Sequence, residues 1–97
     1  MFARVHVLQT TPEQSDTGME IVRDQLLPWM RDTSGFRGLI RLLDRENGRT
    51  LVISLWADEE ALQASTDAGE HFAELTAQTT GSKRLALEIY EATLFDV

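Results

Sequence analysis

A turn at Asn47-Gly48 constrains the fold of this chain more than any other feature, because an apolar segment lies on each side of it. Both residues tolerate a positive φ, and Asn-Gly is a preferred pair in two-residue type I′ hairpin turns. Residues 36–44 and 50–56 are rich in β-branched and aromatic or aliphatic side chains. The sequence therefore predicts an antiparallel hairpin formed by these two segments.

The two faces of this hairpin differ in polarity. One face is wholly apolar and comprises Ile40, Leu42, Leu51, Ile53 and Leu55. The other face has polar groups set among apolar ones and comprises Leu39, Arg41, Leu43, Val52, Ser54 and Trp56. A two-residue loop pairs Arg41 with Ser54, whereas a four-residue loop shifts the pairing by two and leaves both faces unchanged. Apolar residues on both faces predict a sheet that is covered on both sides. Helices can cover one face of so small a chain, and a second subunit is expected to cover the other.

The segment before the hairpin predicts one strand and one helix. Residues 2–9 alternate in polarity and predict a strand. Residues 16–31 carry an apolar stripe at helical spacing, with Ser15 or Asp16 as the candidate N-cap. Pro28 lacks a backbone N–H and is expected to kink or end this helix near residue 27.

The segment after the hairpin predicts a second helix and a last strand. Asp58 begins the helix and is followed by acidic residues, which suit the positive end of the helix dipole. Residues 66–69 are expected to interrupt the helix, which restarts at Asp67 and Glu70 with the spacing of a capping box. Residues 85–95 predict a long final strand.

The order of elements is βαββαβ, and the whole chain, residues 1–97, is predicted to be a single domain. Right-handed crossovers and a central hairpin predict an α+β, ferredoxin-like fold. Its antiparallel sheet is expected to have the strand order 4-1-3-2.

Composition narrows the classes of partner. The net charge of −7 argues against nucleic acid and anionic membranes. No Lys or Arg occurs between Arg49 and Lys83, where the acidic residues predict a solvated helix face or, alternatively, a docking surface for a basic partner. The absence of cysteine excludes disulfides, thiolate metal sites and thiol nucleophiles. With no basic n-region and no long apolar run, we expect no secretory signal, no membrane span and a cytoplasmic protein.

Motifs for the commoner kinds of catalysis are absent. The only histidines are His6 and His71, and no helix has the His or carboxylate spacing of a metal site. No nucleophile motif, glycine-rich phosphate loop or dinucleotide fingerprint occurs, so we expect neither a metal nor a cofactor. What remains is acid–base and hydrogen-bond chemistry in an apolar pocket.

A few positions carry a resemblance to a known family. Gly-Phe-Arg-Gly at residues 35–38 begins strand two, strand three ends at Trp56, and an acidic helix start is followed by His71-Phe72. This combination resembles the antibiotic biosynthesis monooxygenase (ABM) domain of the dimeric α/β-barrel superfamily, over nearly the whole chain. The resemblance implies a homodimer with its two sheets face to face and the helices outside. It also implies a ligand cavity between sheet and helices, near the tryptophan.

The resemblance further implies a reaction and three candidate catalytic residues. Cofactor-free oxygenases of this family act on electron-rich phenols and quinols, whose own anion reduces O₂. Trp56 could stack on or hydrogen-bond to the ring, or be a core residue. His71 could be the base, or a partly exposed helix histidine. Arg41 could pair with a phenolate, or extend along an edge strand into solvent.

Other positions stay open or depart from the family pattern. Many members have a histidine about nine residues after the tryptophan, where this chain has Ser65. Haem-degrading members use an Asn, a second Trp and a His, and Ser65 and Leu75 in the corresponding region do not match them. His6 shares a strand face with Arg4, and a structural or cross-subunit hydrogen bond is its expected role.

The leading hypothesis is a homodimeric, cofactor-independent monooxygenase for a quinol or polyketide-like phenol. The alternative is a non-catalytic dimeric α/β barrel that binds a small ligand or a protein partner. The serine at position 65 favours this alternative.

Overall fold

The computed structural model describes residues 1–96 and contains a four-stranded antiparallel sheet with helices packed on one face. The strands are β1 (Phe2–Gln9), β2 (Phe36–Asp44), β3 (Arg49–Trp56) and β4 (Lys83–Glu91). The helices are α1 (Pro12–Ile21), a π-helical segment (Val22–Leu26), α2 (Leu27–Arg31), α3 (Glu59–Ala64) and α4 (Thr66–Thr80). The sheet order β2-β3-β1-β4 is the predicted order read from the other edge. The ferredoxin-like α+β fold is therefore confirmed; Val97 of the predicted domain lies outside the described residues.

The central hairpin has the four-residue loop. Arg41 lies opposite Val52 and Leu39 opposite Ser54. The turn differs from type I′ because Gly48 alone takes a positive φ, 65°, while Asn47 does not. Instead, the Asp44 carboxylate accepts hydrogen bonds from the backbone N–H of Asn47 (3.2 Å) and from its Nδ2 (2.8 Å). The shift of two residues leaves the two hairpin faces as predicted.

The helices cover the hairpin face that has polar groups set among apolar ones. Trp56 is fully buried there with Met30 and Leu62, and the half-buried Phe36 packs edge-on to its indole, with 5.7 Å between ring centroids. Arg4 pairs with Ser54 across the sheet, so Arg4 and, two residues on, His6 also face the helices. This settles the orientation of β1, which the sequence left open.

The first helical region begins earlier than predicted. Thr11, rather than Ser15 or Asp16, is the N-cap: its Oγ1 accepts from the N–H of Gln14, and Gln14 Oε1 accepts from the N–H of Thr11. This capping box satisfies two backbone donors at once, which the alternatives inside the helix cannot do. Ser15 is buried in α1 instead.

The disruption expected near Pro28 is present as the π-helical segment. Pro28 has no N–H, and the preceding Leu27 N–H donates to the carbonyl of Val22, five residues back. The helix then continues to Arg31 rather than ending.

Two later boundaries also differ from prediction. The break in the second helical region lies at Ser65, not at residues 66–69, because the Gly69 N–H already donates to the Ser65 carbonyl (2.9 Å). The last strand ends at Glu91 instead of residue 95, and its register with β1 shifts between Val7 and Leu8.

The second sheet face carries the wholly apolar side of the hairpin. Ile40 and Leu42 are 39% and 48% exposed on it.

None of the helices in residues 1–96 has the length and the apolar character of a membrane-spanning segment.

Candidate ligand cavity

A cavity of about 270 Å³ lies between the helix-facing side of the sheet and the helices α1 and α4. Its walls are mainly apolar, with Val22, Leu26, Met30, Val52 and Phe72 among the lining side chains. Polar side chains on the walls include Arg4, His6, Arg41, Ser54, Glu70 and Arg84. An apolar cavity with a few convergent polar groups is the usual form of a small-molecule site.

One row of residues across the sheet forms the floor of the cavity. Arg41 on β2 lies opposite Val52 on β3, which lies opposite His6 on β1. Since neighbouring strands are roughly 4.8 Å apart, the Cα atoms of Arg41 and His6 are about 10 Å apart. A flat ring that lies over Val52 would therefore have a guanidinium towards one end and an imidazole towards the other.

Arg41 is held at one end of its guanidinium. Its Nη2 donates to the carbonyl oxygen of Ser15 (2.7 Å) and to the Ser15 hydroxyl (3.0 Å). Burial lowers the pKa of Arg41, and the nearby Asp16 opposes this shift. Within residues 1–96 no carboxylate lies within ion-pairing distance of this guanidinium. Arg41 therefore brings to the cavity wall a positive charge that has no ion pair and that the nearby Asp16 offsets only in part.

Arg4 is a second guanidinium without a carboxylate partner among the described residues. It is only 3% exposed. Its Nη atoms donate to Ser65 Oγ (2.9 Å), to the Leu62 carbonyl (2.6 Å) and to Thr66 Oγ1 (3.0 Å). Ser65, where many members of the family that the sequence resembles have a histidine, thus binds Arg4 and fixes the junction between α3 and α4. Burial lowers the pKa of Arg4, with Glu70 opposing.

His6 carries the one buried side-chain nitrogen or oxygen in residues 1–96 that has no hydrogen-bond partner, its Nδ1. Burial, together with the positive charges of Arg84 and Arg4, lowers the pKa of His6 to about 4, and Glu70 opposes this shift. The imidazole is therefore neutral at neutral pH.

The part of the cavity wall formed by β4 and α4 contains an ion pair. Arg84 Nη1 on β4 lies 2.8 Å from Glu70 Oε1 on α4. This hydrogen bond lowers the pKa of the Glu70 carboxyl. The pair is partly exposed and joins the edge strand to the helix above it, so the two charges largely cancel.

The structure brings one of the three predicted catalytic residues to the cavity. Arg41 lines it. Trp56 lies in the core beside it and donates its indole N–H to Ser54 Oγ (3.0 Å), and Ser54 lines the wall. His71 is exposed on α4, with its ring 6.0 Å from that of Phe72, and does not line the cavity.

Sequence reasoning did not select Arg4, His6 and Arg84 as functional residues. The shared strand face of Arg4 and His6 was visible, but its direction depends on tertiary contacts. No sequence signal pointed to Arg84, because it is the register shift in β4 that pairs it with Leu8 and brings it to the cavity wall.

In residues 1–96 no group of three or more His, Asp or Glu side chains could hold a metal ion.

The sheet order, the helices on one sheet face and the cavity between them place the chain in the ferredoxin-like α+β class. The sequence model of the antibiotic biosynthesis monooxygenase family matches residues 1–78, and the chain belongs to that family.

Two similar proteins of Mycobacterium tuberculosis are uncharacterized. Rv2557 is 36% identical and Rv2558 33% identical over 67 residues, which is 69% of this chain in both cases. The match spans only 30% and 28% of the length of these relatives.

Solved structures share the fold at low sequence identity. The monooxygenase of the gene ActVA-Orf6 of Streptomyces coelicolor, in complex with nanaomycin D, has a TM-score of 0.67 at 15% identity, over 99% of this chain and 92% of that one. SnoaB, a cofactor-independent oxygenase of Streptomyces nogalater, has a TM-score of 0.69 at 15% identity, over 97% and 94% of the two chains.

Proposed function

We propose that this protein is a cofactor-independent monooxygenase that oxygenates a quinol or a polyketide-like phenol in the cavity. One observation carries the proposal: an apolar, ring-sized cavity has the unpaired guanidinium of Arg41 on its wall. Membership of the family and the fold shared with a named cofactor-independent oxygenase support it.

The proposed reaction uses the electrons of the substrate itself. The phenolic O–H bond breaks, its proton passes to solvent water, and its electron pair stays on oxygen as a phenolate, which Arg41 stabilises by charge-assisted hydrogen bonds. The phenolate passes one electron to O₂, and the superoxide and ring radical combine to form a C–O bond. Loss of water then leaves one oxygen atom on the ring as a quinone carbonyl. Overall, one phenol and one O₂ give one quinone and one H₂O.

The predicted roles of the other two residues change within this proposal. Trp56 would hold the cavity wall in place through Ser54 instead of touching the ring. The role of base that the resemblance gives to His71 has no support from its exposed position on α4.

Oxygen consumption tests the proposed reaction. Purified protein incubated aerobically with a panel of hydroquinones and anthrones should consume O₂ faster than these compounds autoxidise. Replacement of Arg41 by glutamine removes the charge that stabilises the oxyanion and should lower the rate by roughly a hundredfold. Arg45→Gln makes the same charge change in the exposed hairpin loop and should keep the rate. Uptake at the autoxidation rate across the panel would rule out the proposed reaction.

A non-catalytic ligand-binding protein is the second candidate. It is favoured by Ser65, which occupies the family's histidine position and is engaged with Arg4, and by the absence of His71 from the cavity. Saturable binding of a phenol without O₂ consumption would select this candidate.

We also propose that two copies pair through the apolar face of the sheet. The exposed Ile40 and Leu42 on that face would lose water on association, which favours a stable dimer. Light scattering at micromolar concentration should give twice the 11.0 kDa chain mass, and the double substitution Ile40→Glu, Leu42→Glu should give the single mass. A wild-type mass near 11.0 kDa would contradict the dimer. The cytoplasmic location stays a prediction.

A further inference from the structure

We propose that the cavity takes its ligand already ionised, as an aromatic acid whose carboxylate or acidic hydroxyl group lies beside Arg41. This inference rests on the proposed function for the place of the ligand, and it adds the charge state in which the ligand arrives.

The charges on the cavity wall do not balance. Arg84 and Glu70 compensate each other at 2.8 Å, and Glu74 is an exposed residue whose charge water screens. Arg4 and Arg41 remain without a carboxylate partner in the described part of the chain. The chain has 16 acidic residues against nine basic ones, so carboxylates are abundant. Arg4 is buried and Arg41 is partly buried. A positive charge away from water is costly without an opposite charge, and an anionic ligand would lower that cost.

Arg41 has donors to offer such an anion. A guanidinium carries five N–H groups, and both hydrogen bonds that Arg41 makes within the protein come from Nη2. Its Nε and Nη1 atoms are not among the buried, unpartnered atoms of residues 1–96, so they have accessible surface. Ser15 therefore holds Nη2, while the N–H groups of Nε and Nη1 are left to donate charge-assisted hydrogen bonds to an acid group.

The cavity wall lacks a base strong enough to ionise a neutral phenol. His6 has a pKa of about 4, several units below the pKa near 10 of an ordinary phenol. The charged groups that face it are Arg4 on its own strand, Arg84 on β4 and Glu70 on α4, and both arginines oppose protonation. Glu70 is bound to Arg84, Glu74 is exposed to water, and His71 lies outside the cavity. A ligand that arrives as an anion needs no base.

Paired probes of one shape test the charge requirement. The affinities of the whole protein for 2-naphthoate and for its neutral isostere 2-naphthamide are measured by calorimetry at neutral pH, and 2-naphthol is measured below and above its own ionisation. We expect 2-naphthoate to bind at least about tenfold more tightly than the amide, which is the scale of one charge-assisted hydrogen bond. Preference for the naphtholate over the naphthol instead would assign the acidic group to a hydroxyl.

Two further measurements locate the anion. Arg41→Gln should abolish the preference for naphthoate over the amide, whereas the matched Arg45→Gln should retain it. In NMR titrations, bound naphthoate should shift the imidazole signals of His6, because a ring over Val52 lies between Arg41 and His6. The exposed His71 ring gives the second imidazole signal and should not respond to the ligand.

The possible outcomes separate this inference from the oxygenase proposal. Equal affinity for the charged and neutral probes, or no saturable binding of any anion at millimolar concentration, would overturn the inference even if the protein consumed O₂. A clear preference for the anion without O₂ consumption on the substrate panel would support the inference and rule out the reaction.

Discussion

Replacement of Trp56 by alanine is expected to lower the free energy of unfolding by about 3–5 kcal/mol, the usual cost of removing a large aromatic side chain from a core. The indole is 0% exposed, packs with Met30 and Leu62, and donates its N–H to Ser54. The truncation leaves a cavity and removes the hydrogen bond at once. Since small domains have roughly 5–15 kcal/mol of stability in total, this one change would remove a large part of it.

Two other variants separate the causes of this loss. Trp56→Phe keeps most of the apolar volume but removes the N–H, and should cost less than the alanine variant. Trp29→Ala makes the same truncation at a half-buried position, where the indole packs on Phe72 with 5.4 Å between ring centroids, and should also cost less. Urea unfolding followed by circular dichroism measures all three. A Trp56→Ala loss no larger than that of Trp29→Ala would contradict the role of Trp56 at the centre of the core.

The features that the sequence predicted well depend on local patterns. The faces of the hairpin follow from strict alternation, which is why Trp56 and Arg41 were placed on one side even though the loop length was undecided. Strand order followed from the element order and the handedness of crossovers. Both kinds of argument tolerate an error of two residues in register or boundary.

The boundaries that the sequence predicted poorly involve competing signals. Thr11 and Gln14 have capping-box spacing, and Pro12 suits the first turn, but Ser15 and Asp16 also have side chains that can cap. The break at Ser65 depends on its contact with Arg4, which is 61 residues away. No local pattern reports a contact over that separation.

The choice between the two histidines shows the limit of a resemblance. His71 was selected because an aromatic residue follows it, yet this neighbour, Phe72, is the one that lines the cavity. His6 lines it because β1 is central in the sheet and its polar side faces the helices. His6 stands out because its buried Nδ1 atom has no hydrogen-bond partner. Such a feature depends on tertiary contacts and cannot be read from the local sequence.

Stability should depend on pH through His6. Its pKa is about 4 in the folded protein, against an ordinary value of 6.5. Above pH 6.5 the group is neutral in both states and has no effect. Between pH 6.5 and 4 the unfolded chain binds a proton that the folded protein does not, so the folded state loses stability as the pH falls. Below pH 4 both states are protonated and this contribution stops changing. The shift corresponds to a loss of up to about 3 kcal/mol.

Urea unfolding at a series of pH values checks this dependence. The wild-type free energy of unfolding should fall through the window from pH 6.5 to 4, and His6→Gln should flatten the profile there. Loss of the Arg84–Glu70 pair adds to the fall only at the acidic end, because the pKa of Glu70 is lowered from its ordinary value, and both proteins share that part. His71→Gln removes the exposed histidine and should keep the wild-type profile. Equal slopes for the wild type and His6→Gln would mean that His6 is hydrated or partnered in solution. In that case the positive charges of Arg4 and Arg84 would not be keeping the His6 imidazole neutral.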